Sequence, residues 1–339
     1  MKIVLVIPSL RVSGATVLFE LVDRLSSKGH DVRITCLDKI ELSPYPLKTP
    51  SQKLQDGLKF FEKADAIIAY YPVCAFYVND LDVRAKKFYF LTDDIIKFYT
   101  EEVFKARFPK LDKDRIKIEY EKQKHYITTS YQLPFTYLVT NNSLSYLLKN
   151  QWKRKVFTIP VGVNHQLFYP DMAVLKGNKV RILVEGNLLP YKGVKDINRA
   201  LSDLRNFELW TISNTKFTIK SDKHWINPTI IDLRKILSSC DVLVKANHED
   251  GIADLQAQAM ACGCVVLTTK TSGVEMFCNK KNSVIVKISD YKQLSKELKK
   301  LIDDKELREK LVRGGLTTAK ELNWDRSVNL LEKALRRKI

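Results

Sequence analysis

The chain has 339 residues, more than the ~250–300 at which a single hydrophobic core stops growing, so two domains are expected. It is 45% hydrophobic and 28% charged with only 12 glycines and 11 prolines, which excludes collagen-like, low-complexity and disordered classes. Lysine and arginine outnumber aspartate and glutamate by 57 to 39, giving a net charge of +18 that both halves share. Such a charge attracts polyanions: nucleic acid, an anionic bilayer or phosphorylated substrates.

The first half alternates short apolar runs with helix-length amphipathic stretches. Buried parallel strands are predicted at residues 3–7, 32–37, 66–70, 88–91, 126–129 and 156–160. A helical pattern over residues 16–25, stopped by Lys28-Gly29, makes the opening unit βαβ. Met1 leads into an apolar run too short to span a membrane and unlike a cleavable signal, so a cytoplasmic protein is expected.

The second half repeats this pattern after a lapse in periodicity near residues 162–170. Strands are predicted at residues 180–184, 207–212, 241–244, 264–268 and 283–288, and the chain is mostly helical and charged from Tyr291 onward. We therefore predict an α/β protein with two doubly wound domains. The first covers residues 1–165, the second 166–322, and a C-terminal helix covers 323–339.

Metal and redox chemistry find little support in the sequence. The cysteines lack metal-ligand spacing and are expected to be reduced core thiols: Cys36, Cys74, Cys240, Cys262, Cys264 and Cys278. The acidic pairs Asp80/Asp82 and Asp112/Asp114 are interpreted as solvated segments. The turn after the first strand is not GxGxxG, so a nicotinamide cofactor is not expected.

Ligand-binding residues are expected in the turns that follow strands, because parallel sheets bind ligands at the carboxyl ends of their strands. Ser13 and Gly14 precede the first helix, where backbone N–H groups can meet an anion. In the second half, Lys192 beside Gly193 at a helix start predicts a diphosphate-binding ammonium. Asp93 follows a buried strand of the first half and is a candidate for acceptor contact or base catalysis.

The segment 241–267 carries the most specific pattern. A strand enters a polar loop, a small-residue helix follows, and Cys262-Gly263 ends that helix. This run resembles the signature of family 4 retaining glycosyltransferases with the GT-B fold. In that signature an acidic residue plus glycine opens the loop, a glutamate follows eight positions later, and the helix continues as Ala-Met-Ala-Cys-Gly.

Other stretches agree with that family in order and spacing across nearly the whole chain. They are Ser13-Gly14, residues 28–32, 159–164, 168–170, 186–193, 273–275 and Trp324-Asp325. Residues 86–94 resemble a rhamnosyltransferase-like branch. The resemblance implies two Rossmann-like domains that face a cleft, the first for the acceptor and the second for a nucleotide-sugar, with the C-terminal helix returning to the first.

The chain departs from the family at three functional positions. Asp250 and Gln258 stand where the family has paired glutamates, and Asn187 stands where it has a phosphate-binding arginine. The resemblance implies that Asp250 lies at the transferred sugar and Gln258 at the ribose. Lys192 would bind the diphosphate, with Lys245 or Arg181 replacing the missing arginine. The remaining donor-binding candidates are Ser13, Gly14, Gly186, His248, Glu249, Gly251 and Ile252.

The implied activity is a hexosyltransferase of polysaccharide or glycoconjugate biosynthesis. It would move a sugar from a nucleoside diphosphate donor to a glycan, lipid-linked or glycoconjugate acceptor with retention and without a metal cofactor. A catalytically weak subunit that supports an active partner remains an alternative, as does a sugar-nucleotide epimerase, although the histidine and carboxylate set expected of an epimerase is missing. Nucleic-acid binding finds no motif. Residues 152–155 and the basic run 105–124 predict a peripheral position on the inner face of an anionic membrane.

Overall fold

The computed structural model describes residues 1–12, 14–38, 45–54, 60–171, 178–186, 189–214 and 219–337. Two predicted site residues, Ser13 and Asn187, lie outside these described residues. The chain divides into two compact units. The first comprises Met1–Ile96, Ile118–Val161 and Trp324–Ile339, and the second comprises Lys97–Lys117 and Gly162–Asn323.

Residues 97–117 mark the difference between these units and the division predicted from the sequence. The sequence placed them in the first domain, whereas the structure groups them with the second unit. Lys97 Nζ lies 3.2 Å from Glu249 Oε1. The ring of Phe98 packs edge-on against Tyr191 with their centroids 4.9 Å apart. These contacts join a segment to residues far away in sequence, which local periodicity does not reveal.

Among the described residues, strands alternate with helices over much of the chain, which ends in three consecutive helices. The strands are β1 (Lys2–Ile7), β2 (Asp31–Cys36), β3 (Ser51–Lys53), β4 (Ala66–Tyr70), β5 (Lys86–Leu91), β6 (Thr136–Val139), β7 (Lys155–Thr158), β8 (Val180–Glu185), β9 (Phe207–Ser213), β10 (Lys223–Ile226), β11 (Val242–Lys245), β12 (Val265–Thr269) and β13 (Ser283–Val286). The helices are α1 (Ala15–Ser27), α2 (Pro72–Asp80), α3 (Glu101–Arg107), α4 (Lys113–Ser130), α5 (Asn142–Asn150), α6 (Val194–Leu201), α7 (Ile230–Ser239), α8 (Asp254–Ala261), α9 (Tyr291–Asp303), α10 (Lys305–Glu321) and α11 (Trp324–Arg336).

The first unit is built on a parallel sheet. Its strands, among the described residues, follow the order β3-β2-β1-β4-β5-β6-β7. The predicted βαβ opening is confirmed: α1 begins after Gly14, and Gly29 has a φ of +87°, the left-handed conformation that favours glycine. The N–H of His30 then donates to the carbonyl of Leu25 at 3.2 Å, closing the helix end.

Helix α11 completes the first unit by packing on α1. Lys28 Nζ donates to Asn329 Oδ1 and Glu332 Oε2, both at 2.7 Å. Trp324 at the helix start is 4% exposed. At the other end, Lys86 Nζ donates to the carbonyl of Leu335 at 3.2 Å, which satisfies a helix-terminal acceptor.

The second unit is also built on a parallel sheet, whose described strands follow the order β10-β9-β8-β11-β12-β13. The central strands are apolar on both sides because each side of the sheet faces a hydrophobic core. Leu183 and Leu243 pack in one core, while Val184 and Val244 pack in the other. Chain order reverses between the neighbouring strands β8 and β11, and such switch points are where open α/β sheets bind ligands.

One predicted strand is wrong, and three strands of the structure were not predicted. Residues 126–129 were predicted as a strand but form the end of helix α4. The predicted run is only four residues long, and a short apolar run cannot be told from a helix segment by periodicity. The strand at this point is β6, just downstream, which pairs with β5 and β7. The edge strands β3 and β10 were not predicted either.

All six cysteines are buried, as the sequence predicts for core thiols. Within the described ranges, no helix combines the length and apolar character that crossing a bilayer requires.

Candidate functional site

A cluster of charged side chains lies at the switch point of the second unit. Glu185 is the last residue of β8 and Lys245 the last residue of β11, the two central strands that pair in parallel. The turn after β8 leads to Lys192, and the loop after β11 leads to Asp250. The fold thus brings four charged residues together from two neighbouring βα turns.

These four side chains form a chain of alternating charge. Lys192 Nζ lies 3.1 Å from Glu185 Oε1 and 3.2 Å from Oε2. Lys245 Nζ lies 3.0 Å from Glu185 Oε2 and 3.2 Å from Asp250 Oδ2. The exposed fraction of the side chain is 4% for Lys245, 11% for Asp250, 16% for Lys192 and 26% for Glu185. The two ammoniums and two carboxylates balance one another.

The ion pairs keep these groups charged despite their burial. Burial raises the pKa of Glu185, but Lys192 and Lys245 outweigh it and hold the pKa well below its usual range. Burial lowers the pKa of Lys245, but Asp250 and Glu185 raise it well above the ordinary lysine value. For Asp250, burial again opposes ionisation, and Lys245 and Gln256 lower the pKa overall. The cluster is therefore ionised at neutral pH.

The carboxylate of Asp250 organises its own loop. Its Oδ1 accepts the N–H of Ala253 at 2.9 Å, and its Oδ2 accepts from Gln256 Nε2 at 3.0 Å and from Asn247 Nδ2 at 3.3 Å. With Lys245, four donors converge on one side chain. The structure therefore places Asp250 at the centre of the loop, where it fixes the geometry of the residues around it.

A close backbone approach joins this loop to the turn that carries Lys192. Gly193 has a φ of +63°, and a Cβ at this position would overlap the carbonyl oxygen of Ala246. The N–H of His248 donates to the carbonyl of Tyr191 at 2.7 Å. The ring of His248 lies 3.4 Å from Asp196 Oδ2, in the first turn of α6. These contacts therefore fix the two turns against each other.

The other predicted donor residues of the second unit surround the cluster. Gly186 follows Glu185 directly, and its N–H donates to the carbonyl of Ile212 at 3.2 Å. Glu249 pairs with Lys97, while Gly251 and Ile252 continue the loop. Arg181, a candidate substitute for the missing arginine, lies 3.3 Å from Glu208 instead and stacks over Trp210.

Helix α8 carries two glutamines that differ in burial. Gln258, the predicted ribose contact, is half-buried. Gln256 is 0% exposed and donates to Asp250, and its Nε2 lies 3.4 Å from Thr268 Oγ1. Residues two apart on a helix lie on nearly opposite faces, so the two amides face different surroundings.

Sequence reasoning missed four members of the site: Glu185, Asn247, Asp254 and Gln256. Glu185 carried a detectable signal, because a charged residue ends an otherwise apolar strand. Burial raises the pKa of Asp254 at the start of α8, and Lys245 only partly opposes this shift. Asn247 and Gln256 had no such signal, since their roles depend on the position of Asp250.

Of the residues that the structure describes, two predicted site residues, Gly14 and Asp93, belong to the first unit. Gly14 has a φ of +76° at the start of α1. Asp93 follows β5, and its Oδ2 accepts from Thr92 Oγ1 at 2.8 Å. Nearby, Tyr71 has a φ of +76°, a strained conformation for an aromatic residue, after the neighbouring strand β4. Asp93 and Tyr71 thus lie at the carboxyl ends of adjacent strands. The acidic pairs Asp80/Asp82 and Asp112/Asp114 are exposed, as expected of solvated segments.

Comparisons with known proteins agree with this picture. Residues 222–317 match the family model described as Glycosyl transferases group 1. A curated relative, the N,N'-diacetylbacillosaminyl-diphospho-undecaprenol alpha-1,3-N-acetylgalactosaminyltransferase of Campylobacter jejuni, is 25% identical over 187 residues, which are 52% of this chain and 48% of the relative. The chain therefore spans about half the length of the curated relative it matches.

Solved glycosyltransferase structures share the fold over nearly the whole chain. WaaG, a glycosyltransferase involved in lipopolysaccharide biosynthesis, is 14% identical with a TM-score of 0.74, covering 98% of each chain. Anabaena HepE in complex with UDP-glucose is 12% identical with a TM-score of 0.76, covering 98% of this chain and 99% of HepE. The predicted GT-B fold and the resemblance to glycosyltransferases are confirmed. Membership of family 4 and of a rhamnosyltransferase-like branch stays a prediction.

Proposed function

We propose that this chain is a hexosyltransferase-type glycosyltransferase that transfers a sugar from a nucleoside diphosphate donor to a glycan, lipid-linked or glycoconjugate acceptor with retention. The observation that carries the proposal is the Lys192 ammonium beside the start of α6, at the switch point of the second unit. The match of residues 222–317 supports it, as do the lipid-linked substrate in the name of the relative and the UDP-glucose bound to HepE.

In the proposed reaction the second unit binds the donor. Lys192 and the N–H groups at the start of α6 stabilise the negative charge that develops on the departing diphosphate. The acceptor hydroxyl attacks the anomeric carbon on the face that the diphosphate leaves, and a phosphate oxygen takes its proton. No metal is required in this scheme, because the ammonium and the helix N-terminus supply the positive charge.

The remaining site residues have proposed roles on the donor and the acceptor. Gln258 contacts the ribose through an amide that both donates and accepts. Asp250 keeps a negative charge near the transferred sugar while it holds its loop. Asp93 contacts the acceptor in the first unit. His248, Glu249 and the backbone from Gly251 to Ile252 shape the donor pocket.

The substitution Lys192→Ala tests this assignment. Loss of the ammonium should weaken transition-state stabilisation by about 3 kcal/mol. Calorimetry with UDP, GDP and dTDP, together with hydrolysis of the corresponding sugar donors, should show weaker binding and slower turnover. Both are measured well below the melting temperature of the variant, which should fall because Glu185 loses one of its two ammonium partners. Lys195→Ala, an exposed lysine three residues along the same turn and helix, is the control for charge. If the two variants bound the nucleotides equally well, the diphosphate would have to bind elsewhere.

A catalytically weak subunit that supports an active partner is the second candidate. Asp250, Gln258 and Asn187 replace the residues expected from the family, and the charge cluster is neutral as a whole. Slow hydrolysis of any tested nucleotide-sugar by the purified chain would favour the enzyme. Nucleotide binding without hydrolysis would favour the subunit.

A peripheral position at the inner face of a membrane is a further part of the proposal. Lys153 and Lys155 are exposed in the first unit, and exposed lysines also lie along α4. Arg154, which lies between these two lysines, is held by the protein instead, because its guanidinium donates to the carbonyls of Tyr131 and Gln132.

A further inference from the structure

Glu185 already pairs with the ammonium of Lys192, the group to which we assign binding of the donor diphosphate. Both of its carboxylate oxygens lie within 3.2 Å of Lys192 Nζ. A lysine ammonium has three N–H donors, so this contact engages much of its hydrogen-bonding capacity. Any phosphate group that binds Lys192 must share the ammonium with Glu185 or displace it.

The other charges of the cluster do not offset the negative charge of Glu185. Lys245 is 4% exposed and lies between Glu185 and Asp250, so its charge is balanced inside the protein. The sequence supplies Asn187, a neutral residue, where the related pattern has arginine. A diphosphate therefore meets a cluster with no net positive charge and a carboxylate close to its principal cation.

On the basis of the proposed function, we propose that Glu185 is a built-in competitor of the donor diphosphate for Lys192. It holds the ammonium in place before the donor binds, and it returns to the ammonium as the nucleoside diphosphate leaves. Glu185 thereby weakens binding of the product and favours its release, a step that limits turnover in many enzymes. It acts through Lys192 and is a positioning residue.

The test is the affinity of Glu185→Gln for UDP, GDP and inorganic pyrophosphate, measured by calorimetry at low and high salt. Removing one negative charge beside the ligand should tighten binding about tenfold at low salt. The gain should shrink at high salt, because partly exposed charges are screened. Glu208→Gln is the matched control: it removes the same charge from an ion pair with Arg181 in the same unit and should leave the affinities unchanged.

Two further variants separate competition from a structural role. Glu185→Asp keeps the negative charge but shortens the side chain by one methylene, which lengthens its contacts with both Lys192 and Lys245. It should therefore also bind more tightly than the unchanged protein. In a Lys192→Ala background, Glu185→Gln should give no gain, because the competition requires the ammonium. Both roles predict a lower melting temperature, because Lys245 loses a carboxylate partner. A structural role alone predicts weaker binding, whereas competition predicts tighter binding.

The outcomes distinguish the two proposals. Unchanged or weaker binding of every probe by Glu185→Gln would overturn the competition, as would a gain that persists without Lys192. If neither protein bound the nucleotides but Glu185→Gln bound pyrophosphate more tightly, the competition would stand while the proposed donor would be wrong. If the unchanged protein bound UDP or GDP and the variant bound it no better, the donor assignment would stand and the role of Glu185 would fall.

Discussion

Lys245 illustrates what a buried charge requires of its neighbours. Removing an ammonium from water is costly, and at 4% exposure Lys245 relies on Glu185 at 3.0 Å and Asp250 at 3.2 Å. Asp250 in turn receives hydrogen bonds from Ala253, Gln256 and Asn247. Each member is tolerated because the others are present, so a change at one position should affect the whole cluster.

The substitution Asp250→Asn should lower the free energy of unfolding by about 3 kcal/mol at pH 7, because it leaves Lys245 with one carboxylate partner. The pKa of Asp250 is lowered in the folded protein, so the contribution of its charge is complete above the ordinary carboxyl pKa and is lost as the pH falls below it. The difference between variant and unchanged protein, measured by urea unfolding, should therefore shrink in acid.

Asp254→Asn is the control for this prediction. Burial raises the pKa of Asp254, so its charge contributes less to the folded state. Asp254→Asn should therefore lower the free energy of unfolding by much less than Asp250→Asn does. Equal losses from the two variants would mean that the pair between Asp250 and Lys245 is not what stabilises the loop. Kinetics of Asp250→Asn on an identified donor test its catalytic role separately.

At the scale of elements, the site depends on how closely two βα turns approach. The turn of Gly193 lies against the backbone of Ala246, and the N–H of His248 donates to Tyr191 across the same junction. Helices α6 and α8 start directly after these turns. Their N-termini, which favour anions, are therefore placed by backbone contacts between loops.

Gly193→Ala should be destabilised by about 3 kcal/mol, because the new methyl combines left-handed strain with overlap at the Ala246 carbonyl. Gly29→Ala is a matched comparison. Gly29 also has a positive φ, but its Cβ would meet nothing within 4 Å, so only the strain of about 1 kcal/mol is expected. Urea unfolding of both variants measures the difference, and similar losses would contradict a close approach at Gly193.

At the scale of the whole molecule, the net charge of +18 remains the most unusual property. Some of the lysines and arginines lie in internal pairs with carboxylates, as Lys192 and Lys245 do, and these pairs add nothing to the net charge. Many of the others are exposed lysines of both units. The exposed fraction can attract anionic surfaces, whereas the paired fraction cannot.

The protein should sediment with acidic liposomes at low salt and should be released as the salt concentration rises, because each lysine near anionic lipid contributes about 1 kcal/mol that salt screens. Lys153→Glu combined with Lys155→Glu should weaken this binding. Lys292→Glu combined with Lys296→Glu changes the same charge on the exposed face of α9 in the second unit and serves as the control. Equal recovery with neutral liposomes would contradict an electrostatic association.

The sequence by itself determined the two parallel-sheet units, the first helix with its glycine stop, and the turns that carry Lys192 and Asp250. These features depend on local periodicity and on residues with special backbone conformations, and both are visible along the chain. It also pointed to the glycosyltransferase fold through the spacing of several motifs. The same local reasoning failed at residues 126–129, where a short β-branched run ends a helix.

Only the tertiary structure decided which side chains meet. Glu185 and Lys245 are 60 positions apart in sequence, yet they pair because β8 and β11 are neighbours in the sheet. Residues 97–117 join the second unit through partners far away in sequence. Gln256, rather than Gln258, supports Asp250 because the position of the helix selects which face it presents to the loop. Pairings of this kind depend on the packing of distant elements, which the local pattern does not contain.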